Sequence, residues 1–184
     1  MQELLHEPLL GWTLRSFLAL MFGYAAVSKL GSIEEFYGVV RNFRLLPDGL
    51  AYPAALALPV VELAVAAGLM ITPLAGPAAM TAALLLAVFG LAIAINVLRG
   101  RTQIDCGCFR DGMKQQISWL LVGRNVLLTA TAVAAAVLVQ PLGGVLNLTV
   151  GLFAGAVLML LYVSMSMLGG MPAAQPSTHS RKGH

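Results

Sequence analysis

The sequence has little charge, little cysteine and little histidine. Charged residues make up 10% of the 184 residues, hydrophobic residues make up 59%, and the mean hydropathy is +0.85. Because a soluble domain carries about 25% charged residues, this composition excludes an ordinary soluble globular protein. With two cysteines in the whole chain, a disulfide-rich secreted domain is excluded as well. We therefore predict that this chain is a membrane protein.

Long apolar segments account for the hydropathy. Crossing about 30 Å of hydrocarbon takes roughly 20 apolar residues, and none of the candidate segments alternates with the period of a strand, so helices are predicted. We predict an all-α membrane bundle of about five transmembrane helices within residues 1–168, followed by a disordered polar tail at 169–184. The five predicted spans are 12–30, 51–71, 75–98, 117–139 and 144–168.

The stretch between the first two spans predicts a short additional helix. Ser32 and Glu35 have the spacing of a capping box, apolar residues follow at helical spacing, and Pro47 ends the pattern. An amphipathic helix lying in the membrane interface and a connecting lid packed on the bundle fit this pattern equally well.

Basic residues are distributed unevenly about the predicted spans. Arg15 stands alone on the side of the N-terminus, and we predict that Arg15 and Lys29 snorkel to the interface. The positive-inside rule then places the N-terminus outside, and the C-terminus and the connection after the third span in the cytoplasm. Contact with anionic lipid accounts for the net charge of +3, so no nucleic-acid partner is predicted. The basic residues of the predicted inner side are Arg41, Arg44, Arg99, Arg101, Arg110, Lys114, Arg181 and Lys182, with Lys29 at its rim.

Charged and amide side chains lie deep within three of the predicted spans. At 1.5 Å per residue, Arg124 lies about 10 Å and Glu62 about 16 Å from the same end of the bundle, a difference that an arginine side chain can bridge. Because charges in hydrocarbon usually face the bundle interior, we predict a Glu62–Arg124 ion pair, with Asn125 and Asn96 as polar neighbours. Such a pair can be purely structural, or it can belong to a proton relay or a quinone pocket.

The two cysteines, Cys106 and Cys108, are separated by Gly107 in a polar connection. A disulfide needs Cα atoms about 4.4 to 6.8 Å apart, and glycine permits the bend that brings neighbouring cysteines so close. So small a ring is strained, and strained disulfides exchange readily. The nearby cations Arg101, Arg110 and Lys114 favour the reactive thiolate. We therefore predict a redox pair.

Three structural interpretations compete with the redox pair. Free cysteines can serve as small hydrophobic residues, although this connection is polar. A static disulfide between neighbours closes almost no loop and stabilises little. A structural zinc ion needs about four ligands, whereas His6, His179 and His184 lie near the termini, so no metal is predicted.

Several short segments together resemble one family of membrane proteins. They are 24–30 (YAAVSKL), 44–47 (RLLP), Glu62, 96–100 (NVLRG) and 105–109 (DCGCF), the last being the most specific. In this order, over about residues 10–140, the chain resembles the methylamine-utilisation MauE family and the wider DoxX-like redox-associated membrane proteins.

The resemblance implies a bacterial inner-membrane protein. Its expected role is to assist maturation and disulfide formation of the small (β) subunit of periplasmic methylamine dehydrogenase, beside a thioredoxin-like protein of the same pathway. Cys106 and Cys108 would be catalytic and Asp105, Gly107 and Phe109 supporting. A quinone is a candidate cofactor, and thiol:quinone oxidoreductase a candidate activity. The alternative is a non-catalytic membrane scaffold or chaperone for its client, the dehydrogenase small subunit, or for the thioredoxin-like partner.

Charge and client give opposing expectations for the cysteine connection. Charge counting places it in the cytoplasm, whereas a factor for periplasmic disulfides would present its cysteines to the periplasm. Either the charge rule fails here, or the pair exchanges redox equivalents on the inner side and a partner carries them across.

Overall fold

The computed structural model describes residues 8–101, 117–138 and 145–169, with side chains of the last segment described as far as Ser166. These ranges are helical and contain no strand. All the helices except the second are long and apolar enough to cross a membrane, which confirms the predicted all-α bundle with five spans and one short helix. The helices are α1 (Pro8–Leu30), α2 (Ile33–Phe43), α3 (Asp48–Met70), α4 (Thr72–Leu98), α5 (Trp119–Val137) and α6 (Val145–Gly169).

The bundle is organised around α1 and α4. Helix α1 packs on α3 and α6, α4 packs on α3 and α5, and α5 reaches back to α1. Many of the buried side chains where α4 meets its neighbours are small, and small residues let helix backbones approach closely in a membrane. Buried alanines of this region are Ala79, Ala82 and Ala83 of α4, and Ala132 and Ala135 of α5. Large apolar side chains cover the outer faces, where lipid would contact them.

Helix α6 joins the bundle through a close contact with α1. The Ser16 hydroxyl donates a hydrogen bond to the Gly151 carbonyl oxygen at 2.9 Å. A Cβ atom on Gly151 would lie 2.5 Å from Trp12 Cβ, and one on Gly155 would lie 2.8 Å from the Phe17 amide nitrogen. The two glycines, four residues apart, therefore form the small-residue surface that this crossing requires.

Helix α2 packs on the bundle through its apolar face. Phe36 is buried, and Tyr37 makes an edge-to-face contact with Tyr52 of α3 at a centroid distance of 5.5 Å. The predicted capping box is not formed, since the Ser32 side chain makes no capping hydrogen bond within the described residues. Burial of the apolar face stabilises the helix instead, and Arg44 ends it in a left-handed conformation with φ 49°.

The predicted polar tail, residues 169–184, lies outside the described residues except for Gly169, which ends α6. The boundary between bundle and tail therefore stays a prediction.

Candidate functional site

A buried ion pair lies where α1 ends. Lys29 Nζ lies 2.5 Å from Glu62 Oε1, and the two side chains are 5% and 2% exposed. The prediction that Lys29 snorkels to the interface is therefore wrong. Its side chain continues the buried face of α1, after Phe22 and Ala26, and α2 folds back over it.

Two aromatic rings complete the surroundings of the Lys29 ammonium group. Nζ lies 5.3 Å from the ring centroid of Phe36 on α2 and 5.4 Å from that of Phe89 on α4. Rings at this distance stabilise a cation through their quadrupole. Because Phe36 is buried over the lysine, helix α2 covers the charged pair on this side.

The ion pair borders a cavity of about 60 Å³. Arg124 lines the same cavity, with its guanidinium carbon 5.7 Å from the centroid of the Tyr162 ring. The structure thus brings Glu62 and Arg124 to one site, as the sequence indicates, while the direct ion pair between them stays a prediction. The lining residues are Met21, Phe22, Ala25, Lys29, Phe36, Glu62, Leu86, Phe89, Arg124, Asn125, Leu128 and Tyr162.

The two asparagines occupy different places. Asn125 lines the cavity and donates its side-chain N–H to the Leu121 carbonyl oxygen at 2.9 Å. Asn96 is fully buried near the end of α4, where its side chain donates to the Ala92 carbonyl oxygen and accepts from Arg101 at 3.4 Å. Asn125 is therefore a neighbour of the charged groups, whereas Asn96 anchors the start of the connection that follows α4.

Arg15 lies buried in the first half of α1, apart from this cavity. Its side chain is 2% exposed, its Nε donates to the Leu69 carbonyl oxygen at 2.8 Å, and its guanidinium carbon lies 4.2 Å from the Trp12 ring centroid. Snorkelling is thus the wrong prediction for Arg15 too. The arginine satisfies a carbonyl group in the last turn of α3, where main-chain acceptors lack helical partners.

The cysteine pair lies outside the described residues, together with Asp105, Gly107 and Phe109. The structure does define where this connection leaves and rejoins the bundle. The Arg101 amide donates to the Asn96 carbonyl oxygen at 3.0 Å, and Ile117 is buried against Ile93 and Leu121. Phe43 of α2 packs on the same cluster, so both ends of the connection lie on the side of the bundle that α2 covers.

Within the described ranges, no group of three or more His, Cys, Asp or Glu side chains could hold a metal ion. The cavity instead contains cations, a carboxylate, an amide and aromatic rings. These groups can bind and orient oxygen atoms and can relay protons.

Comparison with known proteins assigns the family. The model of the family described as "Methylamine utilisation protein MauE" matches residues 7–139. The chain belongs to the MauE family. It is 65% identical to the methylamine utilization protein MauE of Paracoccus versutus and 59% identical to that of Paracoccus denitrificans, in each case over 100% of both chains. It is 50% identical to the MauE of Methylorubrum extorquens over 98% of both chains.

Membership in this family confirms the resemblance deduced from the short segments, and with it a connection to methylamine utilisation. No solved structure matches the chain.

The sequence analysis did not place Lys29, Phe36 or Phe89 at this site. The helical period of α1 carries a signal for the lysine. Arg15, Leu18, Phe22, Ala26 and Lys29 recur at spacings of three and four residues, and all are buried. A basic residue that continues a buried stripe to the end of a helix can therefore indicate an internal charge.

Proposed function

We propose that this protein is a membrane thiol–disulfide redox protein of methylamine utilisation. In this proposal Cys106 and Cys108 exchange a disulfide with a thioredoxin-like protein. That protein then forms disulfides in the small subunit of methylamine dehydrogenase, which is the client. The observation that carries the proposal is the Cys-Gly-Cys sequence in a chain that belongs to the MauE family. The proposed location of the protein is the bacterial inner membrane.

The exchange begins with the Cys106–Cys108 disulfide. A thiolate of the reduced thioredoxin-like protein attacks one of its sulfur atoms, forming a mixed disulfide and releasing the other cysteine as a thiolate. The second thiol of the partner then displaces the remaining cysteine. The partner leaves oxidised, and the pair now holds two electrons and two protons as a dithiol. The partner passes its disulfide to the client.

Reoxidation of the dithiol requires an acceptor of two electrons. A lipophilic quinone would supply this acceptor, and Cys106 and Cys108 would give up two electrons and two protons as their disulfide re-forms. The cysteine connection is anchored on the side of the bundle that α2 covers. Asn96 and Ile117 hold the two ends of that connection.

Trapping the mixed disulfide tests the proposal. With one cysteine replaced, the remaining thiolate can attack the disulfide of the oxidised thioredoxin-like protein, but this chain has no second thiol to complete the exchange. One of the variants Cys106→Ser and Cys108→Ser should therefore accumulate a reducible covalent adduct with that protein. Both variants should abolish maturation of the client while the protein still inserts in the membrane. A matched protein with both cysteines replaced should form no adduct.

A non-catalytic scaffold or chaperone for the dehydrogenase small subunit or for its thioredoxin-like partner is the alternative. It predicts that the variant lacking both cysteines still supports maturation at normal expression. That result would make the cysteines dispensable and would refute the redox proposal.

A further inference from the structure

A second cavity lies under helix α2 and is lined by apolar side chains of α2, α3, α4 and the turn after α2. Its volume is about 210 Å³. Leu45, Leu46 and Val88 in its lining are exposed, so this apolar pocket opens to the outside of the bundle, where lipid would lie. Its lining residues are Phe36, Val39, Val40, Phe43, Leu45, Leu46, Leu58, Leu85, Val88, Phe89 and Ala92.

The apolar pocket extends from the middle of the membrane toward one interface. Among its α4 residues, Leu85 lies at the middle of the helix, and Ala92 lies about 9 Å from the end of the helix at Leu98. This is the depth of the acyl chains of one lipid leaflet. The pocket is also larger than the cavity of roughly 150 Å³ that binds benzene, so it has room for a segment of one acyl chain.

A polar pocket lies beside the apolar one, where the chain turns from α2 into α3. Leu46 lines both pockets, and all the lining residues of the polar pocket are exposed, so a molecule on the outer surface can reach both. Two arginines and one aspartate give the polar pocket one net positive charge. Its lining residues are Arg41, Asn42, Arg44, Leu46, Pro47 and Asp48.

Arg44 is the arginine of the polar pocket that is available to a ligand. Arg41 Nε lies 3.7 Å from Asp48 Oδ1, whereas Arg44 forms no ion pair with another described residue. Arg44 also ends α2 in a left-handed conformation, with φ 49°, where glycine is the usual residue. Its guanidinium group supplies the positive charge and the planar N–H donors that bind phosphate.

The chemistry of the two pockets favours a phospholipid with a negative head group. An alkyl chain gains little by leaving the bilayer for an apolar pocket, because lipid tails are equally apolar, so the head group must select the ligand. A phospholipid places a phosphate group directly beside its acyl chains. A zwitterionic head group adds a cation that Arg44 would repel, whereas an anionic one does not.

We propose that α2 and the turn after it bind one anionic phospholipid, with one acyl chain in the apolar pocket and the phosphate group at Arg44. The acyl chain lies between α2 and α4 and contacts Phe36 and Phe89. The site involves neither the cysteines nor the charged cavity, so it is independent of the proposed redox function.

Native mass spectrometry of the purified full-length chain in detergent tests the head group. Dioleoyl phosphatidylglycerol and dioleoyl phosphatidylcholine have the same acyl chains, and only the first has a net negative charge. One unpaired arginine should make binding of phosphatidylglycerol about fivefold tighter or more. Equal binding of the two lipids would overturn the anionic site.

Two arginines on the same side of the bundle provide matched variants. Arg44 lines the polar pocket, whereas Arg99 is exposed at the end of α4 and lines neither pocket. Arg44→Gln should weaken phosphatidylglycerol binding about fivefold, and Arg99→Gln should leave it unchanged. Both are surface changes that keep the fold. Arg44→Gln protein that binds as tightly as Arg99→Gln protein would refute the role of Arg44.

Two alanines of α4 test the position of the acyl chain. Ala92 lines the apolar pocket, whereas Ala87 is exposed and does not line it. A phenyl ring at position 92 takes up space that the acyl chain needs, so Ala92→Phe should weaken phosphatidylglycerol binding about fivefold or more. Ala87→Phe should bind as the unaltered chain does. Equal binding by the two variants would place the acyl chain elsewhere.

Free phosphate and a second copy of the chain are the other candidate occupants. Phosphatidylglycerol should raise the midpoint of thermal unfolding, and inorganic phosphate alone should not, since it lacks the acyl chain. An equal rise with phosphate would assign Arg44 to a soluble anion. The mass spectra also count the chains in each particle, and a dimer that Ala92→Phe disperses would assign the apolar pocket to a second copy. Either result would refute the lipid site.

Discussion

Lys29 and Glu62 form an ion pair across 33 residues of sequence, in the interior of a bundle whose other internal contacts are largely apolar. Lysine at the end of α1 and glutamate near the middle of α3 meet because α2 folds back over the last turn of α1. Charged groups in such a place are costly to bury and usually serve a function. The pair is therefore the first target for mutation.

Removal of one member of the pair should destabilise the protein more than removal of both. Lys29→Met leaves the Glu62 carboxylate without its lysine, and breaking a buried pair costs about 3 to 5 kcal/mol. Lys29→Met with Glu62→Met replaces the pair by apolar side chains and should recover much of that loss. Thermal unfolding of the purified proteins in one detergent measures both. A double variant less stable than the single one would contradict a coupled pair.

The predicted contact between Glu62 and Arg124 needs a background without Lys29, since an arginine at position 62 would otherwise face the lysine. In Lys29→Met protein, Glu62→Arg and Arg124→Glu should each lower accumulation in the membrane, because each places like charges together in the cavity. The two changes together should restore part of it. Immunoblotting of membranes gives the measurement. Failure of the combined variant to exceed either one would rule out direct pairing.

The contact between α1 and α6 predicts a different kind of loss. Gly155→Ala places a methyl group against the Phe17 backbone, so the helices must separate, at a cost of about 1 to 3 kcal/mol. Gly123→Ala on α5 is the control, because a Cβ atom there meets nothing within 4 Å and alanine favours a helix. We expect a lower midpoint of thermal unfolding for Gly155→Ala and no loss for Gly123→Ala. Equal stabilities would show that the crossing tolerates a larger residue.

The spans were predictable because hydrophobic length is a local property of the sequence. The burial of the internal charged residues was only partly predictable. Glu62 lies near the middle of an apolar run, and this position alone predicts its burial. Lys29 is one residue from the end of α1, where a lysine normally reaches water. Its burial depends on Phe36 of α2, which is a tertiary contact. The prediction for Arg15 is wrong for the same reason, since the Leu69 carbonyl group that accepts its hydrogen bond belongs to another helix.

The sidedness of the cysteine pair gives the remaining prediction. The positive-inside rule predicts that the connection between α4 and α5 lies inside. On that prediction, a membrane-impermeant thiol reagent should leave Cys106 and Cys108 unlabelled in intact cells and label them in inverted vesicles after reduction. Ile71→Cys in a protein lacking both cysteines is the control. Ile71 lies in the turn between α3 and α4, at the opposite end of the spans, and it is exposed. It should be labelled from outside. The reversed pattern would show that the charge rule fails here and would favour direct exchange between the cysteines and periplasmic proteins.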